Sequence, residues 1–289
     1  MNVMNGSMEN HTVGLIFSKD RAMQLDATIR SLYLHCKDVQ NIDLKILYKA
    51  SDAYHLKHYN QLIKEYSSVQ FISENNFREQ VLSNLFNYAY ILFLVDDNIF
   101  VHDFSINKII LNLEKQSDAL GFSLRLGSNI NYCYALNSAQ ARPVFCELEH
   151  ETLKYDWTVA EHDFGYPLEV SSSVYRVEDI LPLLFQLPFA NPNTLEAYMS
   201  SNKGCYVDSK PYILCYKQSI TFCNPVNKVQ NIFNNRAGDE ISYSIHELSK
   251  MFEQGYRIDV ENYSGFIPNA CHQEVKLQFL KPEQEYSEK

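Results

Sequence analysis

The sequence predicts an α/β protein whose mostly parallel sheet is covered by helices on both faces. Short apolar runs alternate with stripes of apolar residues at helical spacing through the first part of the chain. This alternation requires crossover connections between parallel strands. No Pro/Gly/Ser-rich linker and no internal repeat interrupts the 289 residues, of which 46% are hydrophobic. Length and composition therefore favour one continuous domain with a substantial core.

Four strands and three intervening helices are predicted first. The apolar runs that mark the strands are VGLIF (13–17), LKILY (44–48), VQFI (69–72) and ILFLV (91–95). Between them, apolar residues recur three or four positions apart, as on one face of a helix, in stripes that begin at Leu25, Tyr59 and Phe77. These elements alternate strictly along the chain, which predicts that the four strands share one sheet.

The pattern changes after Phe104. A helix at 106–113 leads to a half-buried strand at 120–126, and an irregular segment rich in Tyr, Asn, Asp and Glu follows at 127–175. The last third predicts helices at EDILPLLF and NTLEAYM, a strand at PYILCY and a helix near 240–254. Long polar-aromatic loops on a rigid scaffold commonly carry binding functions.

Charge and composition exclude some classes of protein. A net charge of −10 and a pI near 5.4 argue against a nucleic-acid-binding face, which has to be basic. No stretch reaches the roughly 18 apolar residues of a membrane span, and no signal peptide is apparent. Seven widely spaced cysteines without a Cys-x-x-Cys pair predict reduced thiols in a cytoplasmic protein.

Asp96 and Asp97 end the fourth apolar strand, although carboxylates are costly to desolvate unless they are paired or bound to a cation. One interpretation is a helix N-cap with a solvated neighbour. The other is a ligand site, because polar residues also follow the first strand (FSKDR) and the second (KASD). The carboxyl ends of parallel strands meet at one edge, where such sheets bind ligands. The joint placement favours a functional site.

A phosphate-binding site at this edge would need something other than a glycine-rich loop. The turn after the first strand contains no Gly-x-Gly-x-x-Gly and no Gly-Lys-Ser/Thr motif. Mg²⁺ and Mn²⁺ prefer oxygen ligands and often bridge carboxylates to substrate phosphates. The acidic strand end therefore predicts a site for the cation of a nucleotide.

Six segments together resemble a known family. They are GLIFSKDRAMQLDATIRSL, LFLVDDNIF, FSLRLG, DFGYPLEV…VYR, NPNTLE and NPVNKVQ. In order and spacing they are similar to bacterial glycosyltransferases of the GT-A fold, of a family 2-like type found among cell-surface polysaccharide enzymes. The resemblance implies one GT-A domain at 12–280, with a nucleotide-sugar-binding half at 12–126 and an acceptor-binding half at 127–280. Residues 1–11 and 281–289 are then expected to be tails.

The resemblance also implies roles for particular residues. Asp96, Asp97 and Asn98 match the acidic motif that binds metal and diphosphate, and His272 matches a late-chain histidine that completes the metal site. The positions expected to surround the nucleotide sugar are Phe17, Ser18, Asp20, Arg21, Asp52 and Asp96. Mn²⁺ or Mg²⁺ is the implied cofactor. Asn98 departs from the family's second aspartate, and the serines at 171–173 replace a common Asp-Gly-His-like triplet.

The catalytic carboxylate is expected on the acceptor side. By order along the chain, Glu196 in NPNTLE is the first candidate, with Asp163 second and Asp156 third. Glu196 would act as general base in an inverting enzyme or flank the opposite face of the sugar in a retaining one. Lys203 and Arg236 are candidates for neutralising the departing diphosphate. For each residue, a solvated side chain or a turn cap is the competing interpretation.

Taken together, the sequence predicts a metal-dependent enzyme that moves a sugar from a nucleotide-sugar donor to a saccharide or lipid-linked saccharide. The expected location is the cytoplasm, with peripheral association at the inner face of the membrane left open, as is the oligomeric state. Nucleic acid is not an expected partner. The alternative from another class is a non-catalytic nucleotide- or sugar-binding protein on the same fold, which Asn98 and the serine triplet would suit.

Overall fold

The computed structural model describes residues 12–229 and 236–282. The predicted tail at 1–11 and most of the predicted tail at 281–289 lie outside the described residues. The strands are β1 (Thr12–Lys19), β2 (Ile42–Lys49), β3 (Gln70–Ser73), β4 (Tyr90–Val95), β5 (Asn98–Phe100), β6 (Ala119–Ser123), β7 (Tyr132–Cys133), β8 (Ser138–Ala139), β9 (Cys146–Glu147), β10 (Thr152–Asp156), β11 (Ser173–Arg176), β12 (Tyr212–Tyr216), β13 (Thr221–Cys223), β14 (Arg257–Ile258) and β15 (Phe279–Leu280).

Seven α-helices lie within the same described ranges. They are α1 (Ala22–His35), α2 (Ala53–Glu65), α3 (Phe77–Leu85), α4 (Ile106–Lys115), α5 (Val177–Leu184), α6 (Pro192–Ser201) and α7 (Ile245–Glu253). Short 3-10 helices occupy Val39–Asn41, Lys203–Tyr206, Ile241–Tyr243 and Glu261–Tyr263. Each helix that the sequence predicts is present, and their ends are set by local caps such as Asn191, whose side chain accepts a hydrogen bond from the backbone N–H of Thr194 at the start of α6.

Nine of the described strands form one central sheet, in the order β3-β2-β1-β4-β11-β6-β12-β10-β9. Pairing is parallel between β1 and β2, β1 and β4, β2 and β3, and β6 and β12. Every pair that involves β10 or β11 is antiparallel. The other seven strands of the sheet therefore all point the same way. The prediction that the first four strands share a mostly parallel sheet is confirmed.

Two hydrophobic cores lie on opposite faces of this sheet. Along β1 and β4, Ile16, Leu92 and Leu94 face a core built with α1, α2, α4 and α7. Leu15 and Phe93, at alternating positions, face a second core built with α3, α5 and α6. Side chains alternate between the faces of a strand, so strands buried on both faces read as continuous apolar runs. This is why the runs were recognisable in the sequence.

Two features of the central sheet differ from the sequence prediction. The strand expected to be half-buried at 120–126 is β6, which ends at Ser123 and is buried at all five positions, because β11 and β12 flank it and both cores cover it. The segment at 127–175, predicted to be irregular, contributes β9, β10 and most of β11 to the same sheet. In β10 only Thr152, Leu153 and Tyr155 are buried. Its apolar residues are therefore too few, and too mixed with polar ones, to predict a strand from the sequence.

Two further expectations concern membranes and thiols. None of the helices in the described part of the chain is long and apolar enough to cross a bilayer. All seven cysteines lie within the described residues, and each is a free thiol. Five of them are buried, whereas Cys146 and Cys205 are exposed.

Gly121 in β6 offers a test of the packing between the sheet's central strands. A Cβ atom at this position would lie 2.7 Å from the Tyr175 ring and 3.0 Å from the Val174 carbonyl oxygen of β11. Overpacking of this kind costs about 1–3 kcal/mol, so we expect Gly121→Ala to lower the free energy of unfolding by that amount in urea. Gly204→Ala is the matched control, since no atom lies within 4 Å of its added Cβ. Equal losses for the two variants would contradict this packing.

Candidate functional site

The carboxyl ends of β1 and β4 meet at an edge where two carboxylates share one guanidinium. Nη1 of Arg21 donates to Oδ1 of Asp96 at 3.1 Å and to Oδ2 of Asp97 at 3.2 Å. The backbone N–H of Lys19 donates to Oδ2 of Asp96 at 3.1 Å. The side chains of Asp96 and Asp97 are 6% and 15% exposed. The acidic strand end is therefore an ion-pair centre, and neither aspartate caps a helix.

Arg21 is held in place from several sides. Its Nη2 donates to the backbone carbonyl of Asn227, and its backbone N–H donates to the hydroxyl of Tyr59 at 3.4 Å. The Nε atom has no hydrogen-bond partner among the described residues. Burial works against the charge of Arg21, but Asp96 and Asp97 outweigh it and hold its pKa above the usual value. The guanidinium thus stays charged.

The pKa values of both aspartates are raised in this arrangement. Burial raises the pKa of Asp97 to about 6; Arg21 opposes the shift, and the neighbouring charge of Asp96 adds to it. Burial likewise raises the pKa of Asp96, against the effect of Arg21. One positive charge does not fully offset two buried negative charges, so part of the negative charge at this edge is left unbalanced.

Ser18 and Tyr59 complete the rim beside Asp96. The hydroxyl groups of Ser18 and Tyr59 lie 2.7 Å apart, and both are buried. Tyr59 belongs to the apolar stripe of α2, and nothing in its spacing distinguishes a residue that presents a hydroxyl to the site from a core residue. The sequence therefore pointed to Ser18 but not to Tyr59.

Three other residues expected around the nucleotide lie in different settings. Asp20 has a left-handed φ of 56°, and its carboxylate accepts hydrogen bonds from the backbone N–H and hydroxyl of Ser51, at 2.7 and 2.6 Å. Asp52 is exposed and is the N-cap of α2, accepting from the backbone N–H of His55 at 2.9 Å. The ring of Phe17 is buried in the core, 5.2 Å from that of Phe77. Asp20 thus fixes the backbone after β2, Asp52 caps a helix, and Phe17 packs in the core.

The three expected metal ligands are not equivalent. Asn98 is fully buried, its Oδ1 accepts from the backbone N–H of Val95 at 2.9 Å, and its Nδ2 donates to the Sγ atom of Cys223 at 3.4 Å. This amide holds the turn between β4 and β5. Burial lowers the pKa of His272 to about 4, and the charges that act on it are those of Arg125, Asp163 and Glu169. Asp97 is the member of the trio that pairs with Arg21.

The donor set at the edge therefore fits a limited kind of cation site. Among the described residues, no group of three or more His, Cys, Asp and Glu side chains is arranged to hold a metal. Mg²⁺ and Mn²⁺ are nevertheless often held by one or two carboxylates, with water and substrate phosphates as the remaining ligands. Asp97, together with Asp96, fits that pattern, whereas the side-chain oxygen and nitrogen of Asn98 are already engaged with Val95 and Cys223.

A second charged cluster, absent from the sequence predictions, lies around Arg125 and Glu169. Nε of Arg125 and Oε2 of Glu169 are 3.9 Å apart, and both side chains are 3% exposed. The Glu169 carboxylate accepts hydrogen bonds from the hydroxyl of Ser171 at 2.5 Å, from the backbone N–H of Ser172 at 3.0 Å, and from the hydroxyl of Ser173. The serine triplet thus cradles a buried carboxylate.

Glu196, the first candidate for catalysis, lies near this cluster. It is half-buried in the first turns of α6. Burial raises its pKa to about 7; Arg125 opposes the shift, Glu169 adds to it, and a hydrogen bond from Tyr166 lowers it. A carboxyl group that titrates near neutral pH is suited to accept a proton from a substrate.

Asp163 and Asp156 have more structural partners. Oδ2 of Asp163 accepts from Nε2 of Gln140 at 3.0 Å, and the Asp163 backbone N–H donates to Oε1 of Gln140 at 3.1 Å. Oδ1 of Asp156 accepts from the backbone N–H of Thr158 at 2.8 Å and from its hydroxyl at 2.6 Å. Asp163 nevertheless adds negative charge beside His272. Asp156 closes a turn.

A cavity of about 370 Å³ opens beside His272. Its lining includes Tyr132, Tyr134, Arg236, Asn269, His272 and Glu274. The Arg236 guanidinium lies 4.3 Å from the centroid of the Tyr134 ring, and the Tyr134 hydroxyl bonds to Glu274. Arg236 also donates to Oδ1 of Asn137 at 2.7 Å. Lys203, in contrast, lies outside this lining and donates to the backbone carbonyl of Gly165 at 2.7 Å.

The cavity and the acidic edge are close neighbours in the fold. Cys223 in β13 pairs with Asn98 of β5 on one side and with His272 on the other. Neighbouring strands are about 4.8 Å apart, so the backbones of Asn98 and His272 are separated by about 10 Å. The backbone N–H of Asn224 also donates to the Asp97 carbonyl at 2.9 Å.

One curated relative matches most of the chain. It is the bifunctional glycosyltransferase pgtA of Dictyostelium discoideum, which is 27% identical over 285 residues. The match covers 88% of this chain and 37% of that protein, so the chain spans little more than a third of the relative's length. No protein-family model matches the chain.

Solved structures give more distant likenesses. Staphylococcus aureus TarS has a TM-score of 0.47 at 11% identity, covering 73% of this chain and 36% of TarS. TarS 1–349 in complex with UDP has a TM-score of 0.46 at 10% identity, with 73% and 59% coverage. The mannosyltransferase PcManGT from Pyrobaculum calidifontis, in complex with GDP-Man and Mn²⁺, has a TM-score of 0.36 at 8% identity, with 60% and 46% coverage. The sequence match is the informative one: over most of its length, this chain is similar to a glycosyltransferase.

Proposed function

We propose that this chain is a glycosyltransferase that moves a sugar from a nucleotide-sugar donor to a hydroxyl group of a saccharide. The observation that carries the proposal is the position of Glu196, a half-buried carboxyl group with a pKa of about 7. The charges of Arg125 and Glu169 act both on Glu196 and on His272, which lines the cavity next to the acidic edge of the sheet. The similarity to a glycosyltransferase over 88% of the chain supports it.

The acidic edge is the proposed donor site. Ser18, Arg21 and Asp96 lie together where β1 and β4 end, in the position in which open α/β sheets bind ligands. Asp20 and Asp52 are proposed to shape the neighbouring rim, and Phe17 to support it. The diphosphate of the donor would lie beside Arg21, whose planar guanidinium suits phosphate recognition.

A cation at this edge would offset the negative charge of the donor. The Mn²⁺ or Mg²⁺ expected from the sequence belongs to the proposal, with Asp97 and Asp96 as its protein ligands. Asn98 and His272 remain expected ligands, and of these the Asn98 amide is already engaged with Val95 and Cys223. When bound, such a cation stabilises the negative charge that develops on the departing nucleotide. Arg21 contributes a fixed positive charge at the same place.

Glu196 is the proposed catalytic carboxylate, with Asp163 as the alternative. In an inverting reaction, the ionised carboxylate accepts the proton of the acceptor hydroxyl as the oxygen attacks the sugar. A pKa of about 7 keeps the group basic enough to accept a proton while it is still largely ionised above neutral pH. In a retaining reaction it would flank the opposite face of the sugar.

The cavity beside His272 is the proposed acceptor site. Tyrosine rings offer flat apolar faces, while Asn269, Glu274 and Arg236 offer polar groups at the rim. His272 is neutral near pH 7 because burial lowers its pKa to about 4. A mixed lining without strong net charge suits a hydroxyl-rich, neutral ligand. A lipid-linked saccharide would place its sugar here.

Finer details of the proposal come from the family resemblance. They are the GT-A classification, the division of 12–280 into donor and acceptor halves, a hexose as the transferred sugar, and a role in surface polysaccharide synthesis at the inner face of the cytoplasmic membrane. The competing function is a non-catalytic nucleotide- or sugar-binding protein. The observation that favours it is the structural use of Asn98 and of the serines at 171–173.

A donor screen separates these functions. Thermal unfolding is measured with UDP-, GDP- and CMP-sugars, each with Mn²⁺ and with EDTA, because a ligand that binds the folded state raises its stability. Hydrolysis of the stabilising nucleotide sugar is then followed. Stabilisation with hydrolysis supports the enzyme, stabilisation without hydrolysis or transfer supports the binding protein, and no stabilisation by any donor contradicts both.

Glu196→Gln should abolish most transfer without weakening donor binding. Loss of a general base lowers the rate by roughly 10²–10⁴-fold, and the wild-type kcat/KM should rise with pH up to about 7, where Glu196 ionises, and then level off. The measurement is a pH profile of sugar transfer for both proteins, with donor affinity from calorimetry. If Glu196→Gln keeps wild-type rates and Asp163→Asn loses them, the catalytic role belongs to Asp163.

The same substitution should change how stability depends on pH. The folded-state pKa of Glu196, about 7, lies above its ordinary value of 4.5, so the folded protein binds this proton more tightly than the unfolded chain does. Its contribution to stability is therefore greatest below pH 4.5 and declines as pH rises toward 7. We expect Glu196→Gln to remove that decline in urea unfolding at a series of pH values. An unchanged slope would mean that Glu196 titrates normally.

Arg236→Ala should act on the acceptor alone. The guanidinium covers Tyr134 at the cavity wall, so its loss should raise the acceptor KM about tenfold, equivalent to about 1.4 kcal/mol, and leave donor hydrolysis by water unchanged. Arg142→Ala is the matched control, because Arg142 is exposed and outside the cavity lining. Equal effects of the two variants on acceptor KM would place the acceptor elsewhere.

A further inference from the structure

Arg21 occupies the position in which the sequence led us to expect a divalent cation. Its Nη1 atom bridges Asp96 and Asp97 at 3.1 and 3.2 Å, and the residue is only 8% exposed. The contact with the carbonyl of Asn227 anchors the other end of the guanidinium. A buried, anchored positive charge thus already neutralises part of the acidic pair.

This arrangement weakens the site for a free metal ion. A divalent cation that approaches Asp97 meets a like charge within hydrogen-bonding distance of the same carboxylate, and like charges in a poorly solvated site repel strongly. Asn98 adds no negative charge, and its oxygen already accepts a hydrogen bond from Val95. The protein alone therefore provides too little negative charge and too few ligands to hold the ion firmly.

A nucleotide diphosphate would change both the charge at this site and the number of ligands available to the metal. Its phosphate oxygens supply negative charge and the missing ligands for the metal. They also offer acceptors to the guanidinium, whose Nε is buried and has no hydrogen-bond partner among the described residues. Arginine pairs favourably with phosphate through two parallel N–H bonds. The guanidinium then balances the diphosphate and no longer competes for Asp97.

Resting on the proposed function, we propose that Arg21 makes metal binding conditional on the nucleotide: the acidic pair binds a divalent cation firmly only when a nucleotide diphosphate is present. Metal and nucleotide then bind as a coupled pair, and each raises the affinity of the other by the same factor. Arg21 is thus the residue that sets the size of this coupling, in addition to contacting the donor.

The experiment measures Mn²⁺ binding to the whole chain by electron paramagnetic resonance, alone and with saturating UDP or GDP. We expect either nucleotide to tighten Mn²⁺ binding at least tenfold in the wild type. In Arg21→Gln, Mn²⁺ should bind at least tenfold more tightly without nucleotide, and the coupling should fall below threefold. Arg30→Gln is the matched control, because Arg30 lies on the same helix but pairs with Asp26; it should keep the wild-type coupling.

A second variant covers the case in which Arg21→Gln does not fold. Asp97→Asn leaves the Arg21–Asp96 pair intact and should lose the Mn²⁺ response while it still binds the nucleotide in EDTA. Equal Mn²⁺ affinity with and without nucleotide in the wild type, or wild-type coupling in a folded Arg21→Gln, would overturn the inference and leave the proposed function standing. Failure of every nucleotide to bind, with or without Mn²⁺, would overturn both.

Discussion

The bridge from Arg21 to Asp96 and Asp97 ties the acidic edge together. It joins the start of α1 to the end of β4, and through the carbonyl of Asn227 it reaches the loop after β13. Removal of Arg21 would leave two buried carboxylates uncompensated, which costs far more than an exposed ion pair contributes. The geometry of the edge is consequently set before any ligand arrives.

The sheet supplies the rigid frame for that bridge. Both of its faces are covered by apolar side chains, so β1 and β4 have no freedom to slide relative to each other. Asn98 connects β4 to β13, since its amide closes the turn after β4 and donates a hydrogen bond to Cys223 in β13. Polar and apolar contacts thus place the acidic edge and the cavity beside His272 at a fixed separation, which the proposed use of both sites in one reaction requires.

Local signals were enough to predict the first four strands and the edge where they end, because burial on both faces leaves long apolar runs. They also predicted that Ser18, Arg21, Asp96 and Asp97 lie at this edge, where the structure has them. Periodicity could not distinguish the hydroxyl of Tyr59 from a core ring, nor show that the side chain of Asn98 turns inward. Arg125 and Glu169 stand far apart in the sequence, and their pairing arises only when β6 and β11 lie side by side.

The path of β11 has a consequence for the integrity of the chain. This strand, Ser173–Arg176, comes from the second half of the sequence and lies between β4 and β6 of the first half. A fragment that stops before it would expose two strand edges with unpaired N–H and C=O groups, and such edges recruit other chains. The proposed donor and acceptor halves are therefore not separable pieces of polypeptide. Recombination or proteolysis between them would yield aggregation-prone remnants in place of two working modules.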